Sequence, residues 1–220
     1  MEAVERPVRI LAGEVMLDAD FLPPRPGKGI VIFAHGSGSG RKSPRNRQVA
    51  KLLSTRGLGT LLLDLLAGSE ARVDELTAEY RFNIPLLTER LLAATDWLIA
   101  RPEAEGARVG YFGASTGGAV AMIAAAQRAE VVGAIVLRGA RSDLGDSAAA
   151  RIRCPTLILV GGRDEPIRKA NAQTIRLLQC ETELAVIPGA SHLFEEPGTL
   201  EQVAERTAVW FDLHLSRSGR

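Results

Sequence analysis

Arg108-Val109-Gly110-Tyr111-Phe112-Gly113-Ala114-Ser115-Thr116-Gly117-Gly118-Ala119-Val120 is the stretch that decides the fold. It begins as a short apolar run, passes through a tight glycine-bounded turn, and continues into an alanine-rich segment that extends to Arg128. The first part reads as a strand buried on both faces, and the last as a helix of small residues able to lie close against a sheet. Gly-x-Ser-x-Gly alone is a weak signal. Between a strand and a helix it is the sharp turn that lifts a serine hydroxyl clear of the sheet, and the turn demands small neighbours on both sides. Gly113, Ala114, Gly117, Gly118 and Ala119 supply them. A plain strand-to-helix turn with a capping serine is the simpler alternative.

Outward from this turn the chain repeats the same alternation. Apolar runs at Gly29–Ala34, Thr60–Asp64, Val132–Leu137, Thr156–Val160 and Glu183–Ile187 read as further strands. Val8–Leu17, broken at Gly13, reads as an edge strand in an opening hairpin. Helical patterns cover Asn46–Thr55, Pro85–Leu98, Gly118–Arg128, Pro166–Leu178 and Thr199–Leu215, with Pro85 tolerable in a first turn. Strands alternating with helices predict an α/β protein: a three-layer α/β/α sandwich around a mostly parallel, twisted sheet. Right-handed crossovers bring every strand's C-terminal end to one edge, where ligands bind. Residues 1–220 read as one domain, with no repeat or linker. Leu66–Phe82, charged and mixed, reads as a modest helix or a loop beside the site and leaves no room for a large cap.

Composition excludes several classes. Lys plus Arg number 27 against 26 Asp plus Glu, so no net field favours nucleic acid, and no polybasic or long apolar segment favours a membrane. The first residues carry charge and proline where a signal peptide needs an apolar run, so a cytoplasmic location is expected. Cys154 and Cys180 are expected to be buried thiols, and three scattered histidines with two isolated cysteines give no metal-ligand spacing. No cofactor is expected. Gly36-Ser37-Gly38-Ser39-Gly40-Arg41-Lys42-Ser43 lacks the unbroken Gly-Lys-[Ser/Thr] of a phosphate loop.

A serine becomes a nucleophile only with a base beside it. Of His35, His192 and His214, only His192 lies on a loop after a late strand, in Pro188-Gly189-Ala190-Ser191-His192. Asp164 follows the strand ending at Val160 and falls between Ser115 and His192, giving the order Ser, Asp, His. Asp143 is its rival, and Asp64 precedes the serine and breaks the order. The backbone N–H groups of Ser37 and Thr116 are the candidate donors to a tetrahedral oxyanion.

His35-Gly36-Ser37-Gly38, Gly113–Gly117, Gly161-Gly162-Arg163-Asp164 and Gly189–Phe194 together resemble the dienelactone hydrolase-like branch of the α/β-hydrolase superfamily, from about Ile30 to the last helix. The resemblance implies an α/β-hydrolase fold and hydrolysis of small ester, thioester or lactone substrates through a Ser115–His192–Asp164 triad and an acyl-enzyme. Dienelactone hydrolases proper carry cysteine where this chain has Ser115, so carboxylesterase chemistry is the safer implication. A non-catalytic interaction protein on the same scaffold is the alternative.

Arg41, Arg45, Arg47, Arg81, Arg138, Arg141 and Arg163 all fall near the strand C-terminal edge. Arg138 and Arg141, just past the strand beside that of the serine, are candidates to bind an anionic group of the substrate. Pairing with Asp143, Asp146, Glu165 or Glu195 is the competing expectation.

Overall fold

The computed structural model describes residues 4–216. Eight strands form one open sheet in the order β1-β2-β4-β3-β5-β6-β7-β8, with β1 at Arg6–Ala12, β2 at Val15–Leu22, β3 at Ile30–Ala34, β4 at Gly59–Leu63, β5 at Val109–Ala114, β6 at Val132–Arg138, β7 at Thr156–Gly161 and β8 at Thr182–Ile187. β1 and β2 form an antiparallel hairpin through Gly13, at φ +65°, and β2 runs antiparallel to β4. From β4 to β8 all pairings are parallel. The five strands β3 to β7 are buried along their whole length, whereas β1, β2 and β8 alternate buried and open positions. That contrast is why the central strands read as unbroken apolar runs.

Helices α1 (Pro44–Thr55), α2 (Gly68–Thr77), α3 (Ile84–Ile99), α4 (Thr116–Gln127), α5 (Asp146–Ala149), α6 (Glu165–Ile175) and α7 (Thr199–Leu215) cover the sheet. Val49 and Leu53 of α1 and Val203, Phe211 and Leu215 of α7 pack on one face with Val31, Phe112 and Leu159. Leu87 and Leu91 of α3, the small residues of α4 and Ile167 of α6 pack on the other, with Ile32, Tyr111 and Ile135. Ser43 and Asn83 cap α1 and α3 through bonds to Asn46 and Leu86, and a proline stands in the first turn of each. The Leu66–Phe82 segment holds α2, with Val73 and Leu76 exposed. No helix among the described residues is long and apolar enough to cross a membrane. Cys154 and Cys180 are both free, the first buried and the second half-buried.

The chain winds from β3 to β4 in one direction and from β5 onward in the other, so the switch in strand order lies between β3 and β5. The loops leaving their C-terminal ends meet there, as ligand sites in open α/β sheets require. A Cβ on Gly117 would run into the Ala34 carbonyl oxygen and come within 2.5 Å of that of His35. His35 is buried and ties two loops together: its Nδ1 bonds the Gly36 carbonyl at 2.8 Å, and its Nε2 accepts the Leu65 N–H at 3.0 Å. Because Nε2 is an acceptor, the hydrogen sits on Nδ1 and the ring is neutral.

Two outcomes follow. Gly117→Ala should destabilise the fold by about 3 kcal/mol or more, because the obstruction is backbone rather than a side chain that can turn away; denaturant melts measure it, and a loss below about 1 kcal/mol would mean that the first turn of α4 can slide. Burial lowers the His35 pKa, outweighing the opposing pull of the Gly36 carbonyl and Asp64. The unfolded chain therefore takes up this proton at higher pH than the folded chain does. The associated stability is present above about pH 6.5, the unfolded value, and drains away as pH falls below it to the lowered folded value. His35→Asn should lower stability at pH 7.5 yet flatten its decline between pH 7.5 and 5; an unchanged decline would exclude His35 as its source.

Candidate active site

Ser115 closes β5 and opens α4 with φ +50° and ψ −120°. Only two other described non-glycine residues, Ala78 and Phe194, have positive φ. A serine gains nothing locally from that conformation. It is held by three backbone bonds: its N–H donates to the Arg138 carbonyl at 3.1 Å, and its carbonyl accepts from Gly118 and Arg141, each at 3.0 Å. Gly113 and Gly118 have no room for a Cβ, the first against α4 and the second against Ala140. The turn thus needs the small residues that the sequence provides.

Asp164 leaves β7 at the N-cap of α6, where its backbone carbonyl accepts the Arg168 N–H at 2.9 Å and its side chain is left free of the helix. Its Oδ2 lies 2.6 Å from Nδ1 of His192. The carboxylate is largely buried, at 10% side-chain exposure, whereas the imidazole is 37% exposed. The ring rests on Gly139, at φ +53°, where a Cβ would sit 3.5 Å from Nδ1 and Cε1. Ser115 and His192 therefore meet neighbouring residues of one dipeptide, the serine through the Arg138 carbonyl and the histidine over Gly139. The Ser115 hydroxyl has no hydrogen bond among the described residues, the loose geometry common in unliganded sites. His214 packs instead on Trp210 with ring centroids 4.4 Å apart.

Glu196, which no motif marks in the sequence, braces the histidine loop. Its carboxylate accepts the Ser191 N–H at 3.0 Å and pairs with Arg163, joining the His192 loop to the Asp164 loop. The Ser191 N–H leads the causes that hold the Glu196 pKa down at about 2. Arg163 also donates its N–H to the Ala190 carbonyl at 2.9 Å. Only three-dimensional proximity reveals this brace, because Arg163 and Glu196 stand 33 residues apart.

Gly36 lies beside the serine: a Cβ there would be 3.1 Å from Cβ of Ser115. The Thr116 N–H is the first of α4 and has no intrahelical acceptor. The Ser37 N–H is engaged, donating to Oγ1 of Thr116 at 2.9 Å. His35, Gly36, Ser37, Asp64, Arg81 and Thr116 line part of a cavity of about 230 Å³.

Of the seven arginines near this edge, six have acidic partners: Arg41 with Asp64, Arg45 with Glu195, Arg47 with Asp20, Arg81 with Asp74, Arg141 with Asp143 and Arg163 with Glu196. The Arg141 pair is a fork, with Nε and Nη2 at 2.9 and 2.8 Å from the two carboxylate oxygens. Arg138 alone among them has no acidic partner among the described residues. It is 7% exposed, with Nε and Nη1 buried and unbonded and its guanidinium carbon 6.0 Å from the Phe112 ring centroid. Burial, then the charge of Arg45, pushes its pKa down to about 10, which leaves it charged at neutral pH. No cluster of three or more potential metal ligands occurs among the described residues.

The family model for the dienelactone hydrolase family matches residues 19–213. The crystal structure of dienelactone hydrolase from Anabaena variabilis is 48% identical, covering 99% of this chain and 100% of that one, with a TM-score of 0.95. Est1E from Butyrivibrio proteoclasticus shares the fold at 17% identity, with a TM-score of 0.80 over 94% of this chain and 98% of its own. A Mycobacterium tuberculosis protein named "Putative phosphoribosyl transferase Rv0571c" is 45% identical over 212 residues, which is 96% of this chain and 47% of that protein. The chain thus spans about half the length of that curated relative. A family match across most of the chain, with an eight-stranded sheet that superimposes on a dienelactone hydrolase along nearly its whole length, means that this chain belongs to the dienelactone hydrolase family.

Proposed function

We propose that the protein is a serine hydrolase of small carboxylic esters, thioesters or lactones, acting through Ser115, His192 and Asp164. The observation that carries this reading is a serine at positive φ on a strand-to-helix turn, with a 2.6 Å histidine–aspartate pair over the adjoining strand end. His192 Nε2 takes the Ser115 proton as Oγ attacks the substrate carbonyl. Asp164 accepts the Nδ1–H, fixes the tautomer and stabilises the imidazolium. The tetrahedral intermediate collapses, the C–O or C–S bond breaks, and His192 returns the proton to the leaving group. Water, deprotonated by the same histidine, then releases the acid and restores Ser115. The transferase activity in the name of the Mycobacterium relative is not carried over, since this chain spans less than half of that protein.

A fluorophosphonate probe should label Ser115, located by peptide mass, and Ser115→Ala should abolish both labelling and ester hydrolysis. Asp164→Asn should keep the fold and lower kcat by about 10²–10⁴-fold. Well-folded protein that is unlabelled, or labelled elsewhere, would favour a binding protein on a hydrolase scaffold.

The substrate in this reading carries an anionic group against Arg138. A buried guanidinium without a counter-ion is costly, and a ligand carboxylate relieves the cost. The neighbouring Arg45 is already paired with Glu195, so the local excess is one positive charge, which suits a carboxylate better than a phosphate dianion. Arg141, forked onto Asp143, drops out. Arg138→Gln should reduce the kcat/KM ratio of a succinate half-ester to its methyl-capped analogue by about 10-fold or more; an unchanged ratio would leave Arg138 a structural cation.

A further inference from the structure

The hydrogen of the Ser37 amide is already given away. It goes to Oγ1 of Thr116 at 2.9 Å, so it cannot also make a full bond to an oxyanion while that contact stands. The same contact leaves the Thr116 hydroxyl with an accepted bond and an unused hydrogen. Two threonines within α3 spend theirs on the preceding turn, Thr88 donating to the Ile84 carbonyl and Thr95 to the Leu91 carbonyl, each at 2.8 Å, whereas the buried Thr207 hydroxyl of α7 has no partner among the described residues. Thr116 is the first residue of α4, where the preceding turn is strand and elbow rather than helix, and its hydroxyl donates to nothing among the described residues. It is 2% exposed, follows Ser115 directly, and lines the cavity beside Gly36 and Ser37.

We propose that Thr116 is a catalytic residue through its side chain, its hydroxyl donating to the substrate oxyanion alongside its own backbone N–H while the Ser37 N–H polarises that hydroxyl from behind. This rests on Ser115 being the nucleophile. No proton changes hands: as Ser115 Oγ bonds the carbonyl carbon, the carbonyl oxygen gains charge and shortens its contact to Thr116 O–H. A hydroxyl that accepts one hydrogen bond donates a stronger one, and a nearly dry site enlarges the gain. The N-terminus of α4 adds positive potential at the same place. Ser37 then acts one bond removed, as a positioning and polarising group.

The decisive comparison is Thr116→Ala against Thr116→Ser, with steady-state kinetics on a neutral short-chain ester and affinity for an alkyl boronic acid, which forms a tetrahedral adduct on serine. Thr116→Ser keeps the hydroxyl and should stay within a few-fold of wild type. Thr116→Ala should lose about 10²–10³-fold in kcat, the usual size for one oxyanion donor. KM should change by less than about threefold, and boronate affinity should fall with kcat. Thr116→Val, which keeps the side-chain volume, gives the same reading if the alanine variant melts early. If Ser37 N–H were itself the donor, removing the hydroxyl would free it, and Thr116→Ala would match or exceed wild-type kcat; that result overturns the proposal. Losses in KM alone, or equal losses in the serine and alanine variants, overturn it too. Fluorophosphonate labelling of the wild type separates the two failures. Labelled Ser115 with an indifferent Thr116 sinks only this inference, whereas an unlabelled serine sinks the reading beneath it.

Discussion

The rest of the site depends on one close approach of backbone to backbone, that of Gly117 to the carbonyls of Ala34 and His35. β3 and β5 are neighbours in a parallel sheet, and the strand order reverses between them. The loop leaving β3 and the helix following β5 must share the space above the sheet edge. With a side chain at position 117 they could not, and Ser115 would lose its place beside Gly36. The positive φ of Ser115 is tolerable because this packing and three backbone bonds over-determine it. Local strain at the serine is thus balanced by burial around it.

The base is positioned by different means. Its loop is half-exposed and carries a second non-glycine residue at positive φ, Phe194, whose side chain is fully buried. Apolar anchoring by Phe194 and ionic bracing by Glu196 hold the loop at two points, and His192 lies between Ser191 and Phe194. Asp164 reaches the histidine from the neighbouring loop, which Gly161 allows to pass closely by Ala190. A carboxylate held in its ionised form by a backbone N–H and Arg163, as Glu196 is, stays a fixed brace over the whole pH range in which an imidazole titrates.

The sequence carried the sheet because five central strands are buried on both faces and so appear as unbroken apolar runs. Ser115 and Asp164 stand out because they follow the buried strands β5 and β7, and His192 because it follows β8, the half-open strand at the far edge. The opening hairpin was harder: β2 continues to Leu22, through Phe21, where its alternation with Asp18 and Asp20 is that of a strand buried on one face only. α2 was ambiguous because its apolar residues Val73 and Leu76 face outward and Asp74 faces inward to hold Arg81, the reverse of an amphipathic pattern. Charge pairing was legible only where it is local, as for Arg141 with Asp143. The partners of Arg41, Arg45 and Arg163 come from distant loops, and the isolation of Arg138 can be seen only once all the others have been paired. The direction of the Ser37 N–H is likewise invisible in sequence, since it depends on the rotamer of a threonine 79 residues away.

Polar groups in a folded interior normally meet their partners, and those that do not carry a cost the fold must offset. Around Ser115 two such groups remain. The Thr116 hydroxyl accepts the Ser37 N–H but donates to nothing among the described residues, and Arg138 has two unbonded nitrogens on the face of the sheet covered by α1 and α7. The surrounding arginines show that this chain readily supplies carboxylates where it needs them. Arg138, the residue whose carbonyl holds the serine amide, is given none, and the substrate anion proposed above is what would balance its charge. The same logic applies to Thr116 at smaller scale. Both belong to residues that flank the strained serine, Thr116 in sequence and Arg138 through its carbonyl, and under the two proposals above a substrate would build negative charge at the first and carry a charge to the second.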